Sequence, residues 1–129
     1  MQKETNIILQ QVHQVLRCSQ VPAGTLVLTD RLWPRGIKKI DLKNKNIIWY
    51  NKTSPSTQLR RSFHAEKISE ESFNQAYQKQ LLNEPELLAP LLIYLEKGPL
   101  TLLTAMREPE KTYLMVLKKT LLQQIKHNE

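Results

Sequence analysis

Cysteine is nearly absent from this 129-residue chain: Cys18 stands alone, so there is no internal disulfide and no second thiol to complete a zinc motif. The expectation is a reducing compartment, with Cys18 a buried, inert thiol. Glycine is scarce too, at three residues, and none forms part of a familiar glycine-rich phosphate loop, so ordinary dinucleotide or triphosphate binding has no support. His13, His64 and His127 lack the spacing of metal ligands, and neither a metal nor a cofactor is expected. No apolar run approaches bilayer length, and the opening residues Met1 to Asn6 lack the basic then apolar layout of a signal peptide. The chain therefore reads as cytoplasmic, with no membrane partner.

What is present suits one ordinary domain over residues 1–129: 40% of residues are hydrophobic and 24% charged, with no low-complexity run and no linker. The length suffices to bury a core without staples. The formal net charge is +7, and its placement says more than its size. Residues 31–61 hold nine Lys and Arg side chains against Asp41 alone, a net of +8, while the rest of the chain sums to −1. Such a segment attracts phosphate, carboxylate or nucleic acid, although a charge run by itself is usually only a solvated face.

Residues 7–16 are ambiguous between helix and strand, because Ile8, Val12, Val15 and Leu16 fit helical spacing while the β-branched content suits a strand. Thr25 to Thr29 is a short apolar run after Pro22-Ala23-Gly24 and reads as a buried strand, followed by a loop from Arg31 to Asp41. Ser54-Pro55 looks like a helix start, with Ser54 as cap and Leu59 and Phe63 facing inward. Ser69 opens a second helix, in which Phe73, Tyr77 and Leu81 repeat every four residues to near Asn83. Residues 86–97 are Leu-rich and stop at Gly98-Pro99, and Pro90 must begin or kink their helical part. Leu100 to Ala105 is a second buried strand, and from Pro109 a helix carries Leu114, Leu117, Leu121 and Ile125 on one face. Short buried strands separated by helices predict an α/β domain with a short, mainly parallel sheet flanked by helices.

The densest chemistry lies in Asp30-Arg31-Leu32-Trp33-Pro34-Arg35-Gly36, at the end of a buried strand, where sites are usually built. Two guanidiniums suit bidentate recognition of phosphate or carboxylate, and Trp33 offers a stacking face. Asp30 pairing internally with Arg31 or Arg35, and Trp33 filling a core gap, would explain the same residues, and spacing leaves both readings open.

These residues, with Leu26 to Lys39, Thr53-Ser54-Pro55-Ser56-Thr57, Leu59-Arg60, Phe63-His64 and Gly98 to Leu103, resemble the YeaO-like bacterial family, domain of unknown function 488. The resemblance covers nearly all of the chain beyond residue 10. It implies an α/β domain and a strand, rather than a helix, around Val12 to Leu16. It brings no activity with it. Asp30, Arg31, Trp33, Pro34, Arg35, Ser54, Thr57, Arg60 and His64 keep the family's residue types. The first strand departs from it at His13-Gln14-Val15-Leu16, and so do Thr104-Ala105-Met106-Arg107 and Thr112-Tyr113, the last where relatives have an Asn-His pair. Tyrosine is a poor acid or base at neutral pH, which weakens a catalytic role.

Three readings of function follow. The first is a pocket at the strand ends where Arg31, Arg35, Arg60 and Arg107, with Trp33, hold an anionic small molecule, and Asp30 and His64 are the candidate acid or base. The second is nucleic-acid binding, with Lys38, Lys39, Lys43, Lys45 and Lys52 on phosphates and Trp33, Trp49 or Tyr50 stacking on bases; an aromatic share of 6% and the lack of a recognised motif place it second. The third is a non-catalytic interaction module using segment 87–95 or the last helix. Ser54 and Thr57 as nucleophiles are less well motivated, because a helix start already accounts for them.

Overall fold

Alternation along the strands turns Val27, Leu100 and Leu102 toward one face of a sheet and Leu26, Leu28 and Leu103 toward the other, and each set heads its own apolar cluster. The computed structural model describes residues 6–128, with side chains to residue 126; residues 1–5, Glu129 and the His127 side chain lie outside the described residues, so the readings that rest on them do too. Four strands, β1 (Ile7–Gln11), β2 (Thr25–Leu28), β3 (Ile47–Trp49) and β4 (Leu100–Thr104), form a wholly parallel sheet in the order β1-β4-β2-β3. Both faces are covered, which explains why β4 is buried at every position and reads as a continuous apolar run.

On one face α1 (Val12–Arg17) and α2 (Lys39–Asn44) bury Val12, Val15 and Leu42 with Ile37. On the other lie α4 (Glu70–Asn83), α5 (Ala89–Lys97) and α6 (Tyr113–Asn128), contributing Tyr77, Leu91, Leu114 and Leu117, among others. The short α3 (Thr57–His64) packs on α4 by the rings of Phe63 and Phe73, 4.8 Å apart. Pro90 is the second residue of α5, in its first turn, so it opens the helix and does not kink it, and Gly98 ends it.

Several sequence expectations need correction. The strand implied around Val12 to Leu16 lies at Ile7–Gln11, and Val12 starts a helix. Gln11 pairs with Thr104, the last residue of β4, so nothing remains for a longer strand to pair with, and Val12 and Val15 are buried instead at helical spacing. The loop over Arg31 to Asp41 ends early, because Lys39 opens α2; a six-residue helix around one buried leucine leaves almost no periodic signal, and the three-residue β3 leaves less. Ser56, not Ser54, caps α3 by accepting from the Leu59 N–H, while Ser54 is buried with its hydroxyl donating to the Asn51 carbonyl. Cys18 is exposed, because it sits just past the end of α1. Among the described residues no helix is long and apolar enough to cross a membrane.

Gly24 enters β2 at φ +87°, and a Cβ there would lie 2.1 Å from the Pro99 carbonyl oxygen, the same oxygen that accepts from Thr25 N–H. Backbone cannot yield as a flexible side chain would. Gly24→Ala is therefore expected to cost about 2 kcal/mol or more, read as a fall of roughly 5–10 °C in Tm. Gly36→Ala, at φ +78° but with open space around the new Cβ, should lose clearly less in the same melts.

Candidate functional site

The connections leaving the adjacent strands β2 and β4 diverge: α2 follows β2 onto one face and α6 follows β4 onto the other. Diverging connections at neighbouring carboxyl ends leave a crevice, the usual ligand position in open parallel sheets. Here it is a cavity of about 590 Å³, walled by residues 30–34 after β2, residues 105 and 106 after β4, the start of α6, and side chains of α3 and α4.

Asp30 stands at its base. One carboxylate oxygen accepts the Ala105 N–H at 2.8 Å and the other the Tyr113 hydroxyl at 2.5 Å. An ionised carboxylate only accepts, so the phenol proton points to Asp30 and the Thr29 hydroxyl, 2.9 Å away, donates to the phenol oxygen. Burial, reinforced by the Asp30 charge, holds the Tyr113 phenol well above its ordinary pKa. Asp30 is thus engaged by a backbone amide and a neutral phenol. Among the described residues no ion pair joins it to an arginine, so internal pairing with Arg31 or Arg35 is not its role.

Arg31 is held by neutral groups instead: its Nε donates to the Pro55 carbonyl at 2.8 Å and a terminal nitrogen to that of Ser54 at 3.1 Å. Carbonyl dipoles orient a guanidinium without cancelling its charge, so Arg31 presents positive potential to the cavity it lines. The clamp is itself braced. The Gln80 side chain bridges Ser54 and Ser56, Asn51 donates to the Arg31 carbonyl, and Tyr77 donates to that of Thr53 at 2.5 Å. Burial also raises the Tyr77 phenol well above its ordinary value, with the nearby Arg31 charge pulling the other way.

Trp33 lines the cavity, donates to the Ile37 carbonyl at 2.6 Å across the turn at Gly36, and meets Trp49 edge to face at 5.1 Å. It also packs on the α1/α2 cluster, so wall and core roles coincide. Arg60 and His64, one turn apart on α3, both line the cavity. Arg35 and Arg107 are exposed and form no part of its lining, although β2 and β4 are neighbours and parallel as the placement of Arg107 required. Thr57 is an exposed first-turn residue and Ser54 a buried brace; among the described residues neither hydroxyl is hydrogen-bonded to a basic side chain. Among the described residues no cluster of His, Cys, Asp and Glu is placed to hold a metal ion.

Sequence reasoning did not find Lys119, Phe73, Met106 and Met115, which complete the walls, or Gln80 and Asn51, which brace them. Phe73 reads as core from its helical repeat and Met106 as a departure from the family segment, the others carry no local motif, and all reach the site only through packing.

Tyr113→Phe removes the hydroxyl between Thr29 and Asp30 and is expected to cost about 1–3 kcal/mol, measured by urea denaturation at pH 7. The pH dependence follows from the raised phenol. Above about pH 10 the unfolded chain releases tyrosine protons that the folded protein retains, so wild-type stability falls as pH rises through that range. Tyr113→Phe should lose stability less steeply between pH 9 and 11, tyrosine 77 accounting for part of the remaining slope.

Comparison with known proteins places this geometry in a family. The uncharacterized protein YeaO of Escherichia coli K12 is 37% identical over 94 residues, 73% of this chain and 80% of its own length. The uncharacterized proteins Rv3073c of Mycobacterium tuberculosis and Mb3100c of Mycobacterium bovis are each 30% identical over 121 residues, 94% of this chain and 98% of theirs. No solved structure gives a significant match. A family model described as the inactive DUF488-N3 subclade matches residues 6–129, and the chain belongs to that YeaO-like branch of the DUF488 family.

Proposed function

We propose that this protein binds, without transforming, a small anion that carries an apolar or aromatic body. The observation that carries this reading is the cavity at the ends of β2 and β4, where an Arg31 guanidinium bonded to two backbone carbonyls meets walls made largely of Trp33, Phe63, Phe73, Met106, Met115 and Val116. The volume of about 590 Å³ lies in the range of small-molecule sites. Arg60, Lys111 and Lys119 add positive charge to the lining against the carboxylates of Asp30, Glu70 and Glu110, which with Arg31 leaves an excess of one positive charge, so a phosphate or carboxylate is the head group that suits it. The apolar walls favour a ligand whose remainder leaves water on entry.

The absence of turnover rests on Asp30 and Tyr113, which engage each other, and on His64, the other candidate acid or base in the lining, which is exposed and has no side-chain hydrogen bond among the described residues to orient it. The carboxylate is engaged through both oxygens, and the phenol beside it is held protonated far beyond neutral pH. A base poised near neutrality is what proton transfer needs, and the raised Tyr113 phenol does not supply it. The description of the family branch as inactive supports the same reading.

A thermal-shift panel of aryl and alkyl phosphates and carboxylates, with inorganic phosphate alongside, tests it. A ligand at a hundred times its Kd contributes about 2.7 kcal/mol, a rise of several degrees. The rise should be lost in Arg60→Ala, kept in Arg107→Ala, and absent with inorganic phosphate at equal concentration. Mass spectrometry of the bound compound should return it unchanged. No shift across the panel, or an equal shift with inorganic phosphate, refutes the proposal.

A further inference from the structure

We infer that the edge of the sheet formed by β3 and α2 binds single-stranded nucleic acid, independently of the cavity. The net +8 of residues 31–61 acquires a location here: Lys38, Lys39, Lys43 and Lys52 are all exposed along the segment that builds this edge. Among the described residues none of them is in an ion pair. The segment's lone acid, Asp41, is turned to its own backbone, accepting the Lys38 N–H at 2.9 Å. Lys45 is different, since its ammonium donates to the Cys18 carbonyl and ties α2 to α1.

An aromatic platform lies in the same edge. Trp49 is the last residue of β3 and 41% exposed, yet it is fixed: its indole N–H donates to the Asp30 carbonyl at 2.8 Å and its ring rests against Trp33. An indole immobilised by the fold and left in water is preorganised for stacking, so little side-chain entropy is lost when a base lands on it. Ile40 of α2 and Ile48 of β3 are also exposed, at 52% and 38%. Unpaired cations and a rigid aromatic ring in one segment match the chemistry of a phosphate backbone and its bases. The arrangement favours a single strand over a duplex: α2 has six residues and β3 three, too little to enter a major groove as a helix or ribbon.

Fluorescence anisotropy with labelled 12-nucleotide DNA and RNA strands tests this at 50 and 200 mM salt. Four engaged lysines give a logarithmic salt slope of about −3, so affinity should fall roughly 50-fold between the two. The double variant Lys39→Ala/Lys43→Ala should bind more weakly at 50 mM salt, with about half that slope. Trp49→Leu should bind at least about fivefold more weakly with its slope unchanged. Because Trp49 also helps hold the strand end, Trp33→Phe provides a second reading in which Trp49 is the single tryptophan; its emission should be quenched by unlabelled strand. No binding of either strand at 50 mM salt overturns the proposal. So does unquenched Trp49 emission on binding, which would leave a generic polyanion surface, or tighter binding of a poly-glutamate peptide, which would point to an acidic protein partner. Arg60→Ala, which empties the proposed cavity of its ligand, should leave strand binding unchanged, so failure of one proposal is distinguishable from failure of the other.

Discussion

The carboxylate of Asp30 joins parts of this molecule that lie far apart in sequence. A partly buried negative charge needs donors to replace the water it gives up, and here they come from residues 75 and 83 positions away, the Ala105 amide and the Tyr113 phenol. Its own carbonyl receives the Trp49 indole. One residue thereby ties the end of β2 to the end of β3, the end of β4 and the start of α6. The cavity exists because these ends are held together while the helices that follow them part to opposite faces.

The same bonds shape the electrostatics. With Asp30 taken up by uncharged donors, it forms no ion pair with the arginine next to it in sequence, and Arg31 turns to the carbonyls of Ser54 and Pro55 instead. Positive charge is oriented but left uncancelled. That choice separates the two chemistries that Asp30-Arg31 contains: the carboxylate becomes a structural tie and the guanidinium a feature of the cavity wall. Tyr113 completes the division, because a neutral phenol can satisfy Asp30 and Thr29 together while remaining unavailable as a proton carrier near neutral pH.

Residues 31–61 serve two regions at once. Arg31, Trp33 and Arg60 line the cavity, whereas Lys38, Lys39, Lys43 and Lys52 face solvent at the sheet edge. Trp33 and Trp49 connect the regions through their edge-to-face contact. The Leu-rich segment and the last helix, by contrast, turn Leu88, Leu91, Leu95, Leu114 and Leu117 into the core. Ile93, in the Leu-rich segment, is left half exposed.

The amino-acid sequence by itself determined the fold class, the buried strands β2 and β4, the long amphipathic helices α4 and α6, and the position of the charged motif at a strand end. All of these rest on periodicity or on capping and breaking residues, signals confined to a dozen positions or fewer. The family resemblance was equally legible, since its motifs are contiguous. Tertiary structure decided the rest. Whether residues 12–17 continue a strand depends on where β4 runs out, and whether Ser54 or Ser56 caps α3 depends on Asn51 and Gln80. Which of Arg31, Arg35, Arg60 and Arg107 reach the cavity depends on neighbours that no local spacing encodes. A side chain's charge is written in the sequence, but its partner is chosen by whatever the fold brings within about 3 Å of it.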